Sequence, residues 1–326
     1  MKITIACPER VLRNEELASE FPDWPAEKIQ DKLGIVSRHV CGEGDTALEL
    51  AVNAVEKILR GEDRSLIDFL LLCTQSPDYK LPTTACLLQH RLGLRKNMGA
   101  YDFNLGCSGF IYGLAQAKGL LAAGIAHRIL LVTSETYTKY IHHLDRGNRS
   151  IFGDAATAML LSADDCEIGE FILETDGAGA ENLIVRNGGA RHCYDQNAPL
   201  HSFSNGSSTD NDLYMNGTEI FSFAMNTIPD MVKAVLEKNH LTLDEIDYVV
   251  LHQANSFILN SLRKIIRIPA EKFVIELAEY GNTVSSSIPI ALSKMLQDGR
   301  LSAGKKILLC GFGVGYSSGA TVLTIR

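Results

Sequence analysis

Residues 67–75 read IDFLLLCTQ and residues 246–254 read IDYVVLHQA, so one short pattern occurs twice along the chain. In each copy an Ile-Asp pair opens a run of apolar residues, and polar residues close it. Apolar runs of this length, bounded by polar residues, are typical of strands that are buried on both faces of a sheet. The pattern therefore predicts two equivalent buried strands.

The segments that follow the two copies also correspond, and they keep the same order. Each copy leads to a glycine-containing polar turn that enters a predicted helix, then to an apolar strand, then to an Ala-Thr strand. The pairs are residues 106–108 and 281–283, 128–131 and 306–309, and 156–160 and 320–323. Corresponding segments in one order indicate an internal repeat. We place the two related halves at residues 1–165 and 166–326.

Strand and helix patterns alternate in both halves. They are predicted at residues 69–73 (strand), 109–123 (helix), 129–132 (strand), 288–297 (helix) and 307–310 (strand). Such alternation favours an α/β protein whose central strands are largely parallel. Residues 202–212, rich in Gly, Asn and Ser, are expected to be the longest loop.

Composition excludes several classes of protein. The net charge of −8 over 326 residues disfavours a general nucleic-acid binder. The apolar runs are too short to cross a membrane, and no signal-peptide block follows the first residues. We therefore expect a cytoplasmic protein without nucleic-acid partners or membrane insertion.

The eight cysteines are scattered and form no Cys-x-x-Cys pair, so most are predicted to be reduced core thiols. The same scatter makes a zinc site improbable. Cys86 and His90 lie four residues apart on a predicted helix, but two ligands do not make a metal site. His142 and His143 are predicted to lie in a loop.

Cys107 is the candidate nucleophile. A strand at residues 100–103 runs towards it and a helix leaves it, and the N–H groups at a helix start stabilise a thiolate. The alternative is an inert, buried cysteine. Gly106 and Gly109 beside it allow close approach of backbone or substrate, which favours the functional interpretation.

His252 follows an apolar strand, and Asn282 lies in the turn that corresponds to the Cys107 turn. Taken singly, each has a structural alternative, as a hydrogen-bonded residue at a strand end and as a helix cap. Ligands of α/β sheets lie beyond the carboxyl ends of the strands, so all three residues are expected to meet where the halves join.

Residues 311–315 (Gly-Phe-Gly-Val-Gly) follow a strand, as a dinucleotide-binding loop does. Such a loop opens a helix, whereas here another strand follows and ends the chain. A turn that offers backbone N–H groups to an oxyanion is the better interpretation.

Taken together, these motifs resemble the β-ketoacyl-acyl-carrier-protein synthase III family. The likeness rests on GCSGF (106–110), IFGDA (151–155), MNGTEIF (215–221), HQAN (252–255), YGNT (280–283) and the turn at 311–315. It runs from residue 34 to the C-terminus. It implies a thiolase-like fold with two related α/β halves and mixed central sheets in αβαβα layers.

The resemblance also implies roles. Cys107 accepts an acyl group from acyl-CoA, and His252 and Asn282 support decarboxylation of malonyl-acyl carrier protein. The backbone N–H groups of Cys107 and Val314 form an oxyanion hole. Condensation then gives a 3-oxoacyl product without a metal or redox cofactor. Members of the family are homodimers, so the resemblance also implies a homodimer.

Residues around this centre are assigned more loosely. The resemblance implies CoA contacts at Lys28, Lys32, Arg146 and Asn255, and an acyl pocket shaped by Leu81. Spacing along a predicted helix places Arg263, Lys264 and Arg267 on one basic face. That face would attract an acidic carrier protein; the alternative is an ordinary solvated face.

Departures from the family pattern leave alternatives open. Lys28 and Lys32 stand where Trp and Arg are typical, Phe257 where Arg is frequent, and Ser222 where Lys is common. A specialised paralogue in a lipid, polysaccharide or secondary-metabolite pathway is one alternative. Acyl transfer without decarboxylation is another, and a silent partner subunit is a third, of a different class.

Overall fold

Two mixed five-stranded sheets form the framework of the computed structural model, which describes residues 1–326. The strands are β1 (Lys2–Ala6), β2 (Val11–Arg13), β3 (Ser37–His39), β4 (Phe69–Cys73), β5 (Gly99–Phe103), β6 (Ile129–Glu135), β7 (Ala155–Leu161), β8 (Cys166–Ile168), β9 (Ile172–Thr175), β10 (Leu183–Val185), β11 (His201–Phe203), β12 (Gly206–Ser208), β13 (Leu213–Met215), β14 (Tyr248–Leu251), β15 (Lys306–Gly313) and β16 (Ser317–Ile325).

Nine α-helices accompany the strands. They are α1 (Asn14–Glu20), α2 (Ala26–Leu33), α3 (Ala47–Ile58), α4 (Thr84–Arg91), α5 (Gly109–Ala122), α6 (Arg146–Ile151), α7 (Gly217–Lys238), α8 (Ser256–Ile266) and α9 (Ser287–Gln297). The strands and helices predicted from the repeat are all present, within a few residues at their ends.

The two sheets repeat one arrangement. In the first, of order β1-β7-β6-β4-β5, β4 runs parallel to β6 and β6 antiparallel to β7. In the second, β14 runs parallel to β15 and β15 antiparallel to β16, which also pairs with β8 and β9. The internal repeat and the mixed sheets are thus confirmed. The expectation of parallel central strands holds for β5, β4 and β6 and for β14 and β15, but the Ala-Thr strand of each half returns antiparallel.

Helices and sheets stack in five layers. Helices α3 and α4 cover one face of the first sheet, and α7 and α8 cover the outer face of the second. Between the sheets lie α5 and α9, each in contact with both. Helix α5 is apolar on most of its surface because it has a sheet on either side. At Gly113 an added Cβ would lie 2.7 Å from Leu131, so glycine lets α5 approach β6.

Strands of the first sheet fall within residues 2–161 and those of the second within 166–325. The division of the chain after residue 165 remains a prediction. The predicted loop at 202–212 is wrong in part, because a hairpin of β11 and β12 occupies it. The hairpin turns at Ser204-Asn205, and Gly206, with φ 136°, opens β12; the composition argument passed over this hairpin.

Candidate active site

Cys107 lies in the turn between β5 and α5, two residues before the first residue of the helix. Only 6% of it is exposed. Its neighbour Ser108 is the N-cap of α5 and hydrogen-bonds Ser317 of the other half, with 2.6 Å between the two oxygens. The start of this helix is therefore fixed against β16.

Three glycines bring backbone close to this turn. A Cβ at Gly106 would lie 2.6 Å from Gln75 Oε1, and one at Gly109 would lie 2.2 Å from Cys73 Sγ. A Cβ at Gly313 of β15 would lie 3.0 Å from Cys107 Sγ. The space beside these glycines is filled by protein, so they serve packing around Cys107. Cys73 is a second buried thiol at this junction, which the sequence argument did not recognise.

The chamber around Cys107 is mostly apolar. Its side chain clusters with Tyr137, Phe152, Leu183, Leu213 and Val284. Burial raises the pKa of the Cys107 thiol well above its ordinary value, and the Glu135 carboxylate raises it further. The resting residue is therefore a neutral thiol. Desolvation by burial therefore outweighs the thiolate stabilisation expected from the helix start.

His252 follows β14 directly and is 2% exposed. Its Nδ1 lies 2.7 Å from the Ser287 hydroxyl, and its ring meets Phe312 edge-on at 5.6 Å. The Ser287 oxygen also accepts the Gln253 N–H, and Nδ1 is the acceptor within reach of its proton. We assign the Ser287 hydroxyl as the donor to Nδ1, which places the ring proton on Nε2. Burial lowers the pKa of His252 to about 3, so the ring is uncharged.

Asn282 is held against the other half of the molecule. Its N–H donates to Ile151 O at 2.8 Å, and its carbonyl accepts the Gly153 N–H at 3.0 Å. Its Oδ1 accepts the Val284 N–H at 2.9 Å, which leaves the amide Nδ2 as the free donor. Val284 has a φ of 55°, which a β-branched residue rarely adopts. The structure thus assigns Asn282 no helix-capping role, since α9 begins only at Ser287.

Contacts bring the three loops to one chamber. Cys107 abuts Gly313, next to the Phe312 ring that touches His252. Phe152, which packs in the Cys107 cluster, is bridged to Asn282.

The predicted oxyanion donors lie at the same place. Val314 is in the turn between β15 and β16, and its side chain packs into the Cys107 cluster. The N–H groups of Val314 and Cys107 donate to no backbone carbonyl. Both are thus available to a ligand.

Trp24, the one tryptophan of the chain, lies among the predicted CoA residues. Lys28 Nζ is 5.0 Å from the ring centre, Lys32 Nζ is 5.5 Å away, and Arg146 Cζ is 5.4 Å away. Asp23 pairs with Arg146. The sequence signal was a tryptophan followed by Lys at the fourth and eighth positions, which puts one cation per helical turn on its side of α2.

A groove of about 590 Å³ separates α2 from α8, and Lys32, Asn255, Phe257 and Lys264 line it. Asn255 also caps α8, because its Oδ1 accepts the Ile258 N–H at 2.9 Å. Phe257 is 61% exposed and stacks on Phe221 at 5.4 Å. An aromatic pair thus stands at the rim of the groove.

The three basic residues predicted to share a face do not all do so. Arg263 and Lys264 are in the last turn of α8, but Arg267 lies beyond it as the left-handed C-cap residue, with φ 62°. Helical spacing therefore does not extend to Arg267. Arg263 is half-buried, and its guanidinium group donates a hydrogen bond to Ile268 O at 3.5 Å.

Leu81 is 82% exposed in the loop between β4 and α4, and Tyr79 beside it is 60% exposed. The side chain does not contact the Cys107 chamber of its own chain.

No group of three or more His, Cys, Asp or Glu residues is arranged to hold a metal ion. No helix has the length and apolar character needed to span a membrane.

Family models match both halves of the chain. Residues 101–177 match the model for 3-oxoacyl-[acyl-carrier-protein (ACP)] synthase III, and residues 236–325 match its C-terminal model. A β-ketoacyl-[acyl-carrier-protein] synthase III from Clostridium perfringens is 36% identical over 324 residues, which cover 98% of this chain and 96% of that protein.

Solved structures give the same result. A crystal structure of a 3-oxoacyl-(acyl-carrier-protein) synthase III superposes with a TM-score of 0.97 at 44% identity, over 99% of this chain and 98% of the other. A 3-oxoacyl-(acyl-carrier protein) synthase from Burkholderia xenovorans superposes with a TM-score of 0.91 at 32% identity, over 99% and 93%.

Proposed function

The chain belongs to the 3-oxoacyl-[acyl-carrier-protein] synthase III family, and on this premise we propose how its residues carry out the condensation. It is a condensing acyltransferase of the β-ketoacyl-acyl-carrier-protein synthase III type, an activity of fatty-acid biosynthesis, with the thiolase-like fold. The proposed substrates are an acyl-CoA primer and malonyl-acyl carrier protein. Residues of the chain act on them without a metal or redox cofactor.

In the first step Cys107 Sγ attacks the carbonyl carbon of the primer. The new C–S bond replaces the bond to CoA, and the thiol proton leaves with CoA. The free N–H groups of Cys107 and Val314 hydrogen-bond the oxyanion that forms on the way. Because burial keeps Cys107 protonated, loss of its proton and attack on the carbonyl are linked.

In the second step the malonyl thioester replaces CoA. His252 Nε2–H and Asn282 Nδ2–H donate to its carbonyl oxygen, where negative charge grows as CO2 leaves. The enolate carbon attacks the acyl carbon held on Cys107, the C–S bond breaks, and the thiolate takes a proton from solvent. A histidine that stays uncharged suits this role, since it donates a hydrogen bond without surrendering its proton.

One observation carries this proposal: an uncharged His252 and the free Asn282 amide stand on loops that meet the Cys107 chamber. The test is release of labelled CO2 from malonyl thioester, labelled in its free carboxyl, by enzyme first acylated at Cys107. Acylation without CO2 release, with transfer to an alcohol or amine, would indicate the non-decarboxylating acyltransferase. A chain that neither acylates nor releases CO2 would be the silent partner subunit.

Trp24 with Lys28, Lys32 and Arg146 is the proposed site for the nucleotide end of CoA. The aromatic ring offers a stacking surface, and the lysines supply charge for phosphates. Phe257 at the groove, stacked on Phe221, supports a second candidate function. In that candidate the same reaction serves a specialised lipid, polysaccharide or secondary-metabolite pathway with a different acceptor.

A homodimer is part of the proposal. Strand β5 is the edge of the first sheet, and all its residues are half-buried although no strand covers that edge. An open edge of this kind pairs readily with another strand. The exposed Leu81 in the nearby loop then reaches the partner's acyl pocket. CoA thioester chemistry and eight free cysteines favour the reducing cytoplasm.

A further inference from the structure

Glu135, the last residue of β6, is fully buried and forms no salt bridge. Its carboxylate accepts three hydrogen bonds. Gln75 N–H donates to it at 3.0 Å, the Ser76 hydroxyl at 3.2 Å and the Ser285 hydroxyl at 2.8 Å. A buried carboxyl group without a cation is costly unless hydrogen bonds hold it. Neither step proposed above uses this group.

These bonds join two loops that border the active site from opposite halves. Gln75 and Ser76 follow β4, and the Gln75 side chain lies against Gly106, next to Cys107. Ser285 lies in the 3-10 turn Val284–Ser286, between Asn282 and Ser287. One carboxyl group therefore contacts both the loop beside the nucleophile and the turn beside the decarboxylation residues.

The neighbouring serines strengthen this link. Ser286 Oγ hydrogen-bonds Thr133 Oγ1 at 2.8 Å and Ala155 O at 3.1 Å, both in the N-terminal half. Ser287 bonds His252. Three consecutive buried serines thus connect β6, β7 and His252, so a displacement of this turn would move Asn282 and His252 relative to Cys107.

We propose that Glu135 is a positioning residue that fixes the Asn282–Ser287 turn against the Cys107 loop. The decarboxylation arm of the test rests on the proposed function, whereas the coupling of Glu135 to Ser285 in unfolding stability does not.

The surroundings of Glu135 offer no cation to pair with it. The ionisable groups around it are Cys73, Cys107, Tyr137, Tyr140 and Asp154. Burial raises the pKa of Glu135 to about 8, and the Asp154 charge adds to the effect. Hydrogen bonds, and not an ion pair, therefore hold the carboxyl group between the two loops.

Two variants separate the effect of the length of the Glu135 side chain from the effect of its charge. Glu135→Asp keeps the charge but is one methylene shorter, so it cannot contact both loops; Glu135→Gln keeps the length without the charge. The first measurement is urea unfolding of Glu135→Asp, Glu135→Gln, Ser285→Ala and the double variant Glu135→Asp/Ser285→Ala. Because Glu135 and Ser285 form one contact, the stability losses of Glu135→Asp and Ser285→Ala should be non-additive. Additive losses would refute the link between the two loops.

The second measurement compares malonyl decarboxylation with acylation of Cys107. Glu135→Asp should slow decarboxylation about tenfold and acylation much less, because it displaces the donors at Asn282 and His252 without removing either, and complete loss of one donor costs about 10²–10³-fold. Ser285→Ala, which alters the same contact from the other side, should reproduce that split and be non-additive with Glu135→Asp. Equal loss of both steps in proportion to unfolding stability would mean a merely structural role.

Asp154→Asn is the matched control. Asp154 is equally buried, but its bonds to Thr138 and Cys41 stay within the N-terminal half. The effect of Asp154→Asn on decarboxylation should be additive with that of Ser285→Ala. If Asp154 and Ser285 are coupled as strongly as Glu135 and Ser285, Glu135 makes no specific link between the two loops. If the parent releases no CO2 at all, the proposed function fails, while the coupling of Glu135 to Ser285 in unfolding stability still decides whether Glu135 links the two loops.

Discussion

The Ser287 hydroxyl and His252 Nδ1 lie 2.7 Å apart, and this contact decides what His252 offers to a substrate. Because the hydroxyl donates to Nδ1, the imidazole keeps its proton on Nε2 and faces the chamber as a donor. Burial lowers the pKa of His252 to about 3, so this form persists over the physiological pH range. The arrangement suits stabilisation of an enolate.

Substitution of His252 or Asn282 by Ala should slow malonyl decarboxylation by about 10²–10³-fold, the usual cost of losing one donor to a developing oxyanion. Acylation of Cys107 should be affected less, since these donors act in the second step. Rates of CO2 release and of acyl-enzyme formation, measured on the same preparations, check this. Parent-like decarboxylation in either variant would contradict the roles proposed here.

Cys107→Ala should abolish acyl-enzyme formation and condensation. Cys73 is a second buried thiol nearby, but it lies beneath Gly109 with its Sγ bonded to Leu105 O at 2.9 Å, so it is not placed to react. Intact-mass analysis with acyl-CoA measures the outcome, with Cys73→Ser as the comparison that retains Cys107. An acyl adduct on Cys107→Ala would show that another residue is the nucleophile.

Reversal of Arg263 and Lys264 to Glu should raise KM for malonyl-acyl carrier protein and leave acylation by acyl-CoA nearly unchanged. Both residues lie in the last turn of α8, and Lys264 lines the groove, so positive charge here attracts an acidic carrier. The control is Lys233→Glu on the outer helix α7, where Lys233 is exposed and pairs with Glu237 at 3.8 Å. Equal KM values for all three proteins at low salt would exclude this surface.

Leu81→Phe should lower kcat/KM for medium-chain or branched acyl-CoA far more than for acetyl-CoA. If Leu81 enters a partner's pocket, the larger ring shortens that pocket, and about 1–3 kcal/mol of discrimination per methylene makes the change measurable. Acyl-CoA preference profiles of the two proteins give the answer. Tyr79→Phe, in the same exposed loop, is the matched control. Superimposable profiles would mean that Leu81 lines no pocket.

The contribution of His252 to stability should fall as the pH drops below about 6.5, the pKa of an unfolded histidine. Folded His252 has a pKa of about 3, so between these values the unfolded chain binds a proton that the folded chain does not. Its contribution is complete above the upper value and is lost towards the lower one. Urea unfolding of the parent and His252→Gln at pH 7 and 5 tests this. The parent should lose more stability, and parallel losses would contradict it.

The sequence predicted much of the fold because the repeat reports burial directly. Strands β4 and β14 are apolar throughout, since helices cover both faces of each sheet, and such runs are readable without tertiary information. The direction of β7 and β16 was not readable. An apolar strand looks the same in either direction, and only its partners fix its orientation.

The centre of the site followed from the turns after equivalent strands, while its surroundings did not. Glu135 and Cys73 are ordinary strand-end residues in the sequence, and folding alone places them beside Cys107. Trp24 lies outside the family motif, so comparison by motif passed over it. Arg267 was misplaced because spacing cannot show that α8 ends one residue earlier.

The middle layer has a consequence for how the molecule holds together. Leu71 and Leu131 of the first sheet, α5 and α9, and Ile307 and Leu309 of the second sheet belong to a single apolar cluster. The middle layer packs against both sheets. If the chain were cut between the halves, each fragment would expose the apolar face that this layer now buries. The two repeats are thus not separable modules, because the middle layer is buried only when both sheets are present.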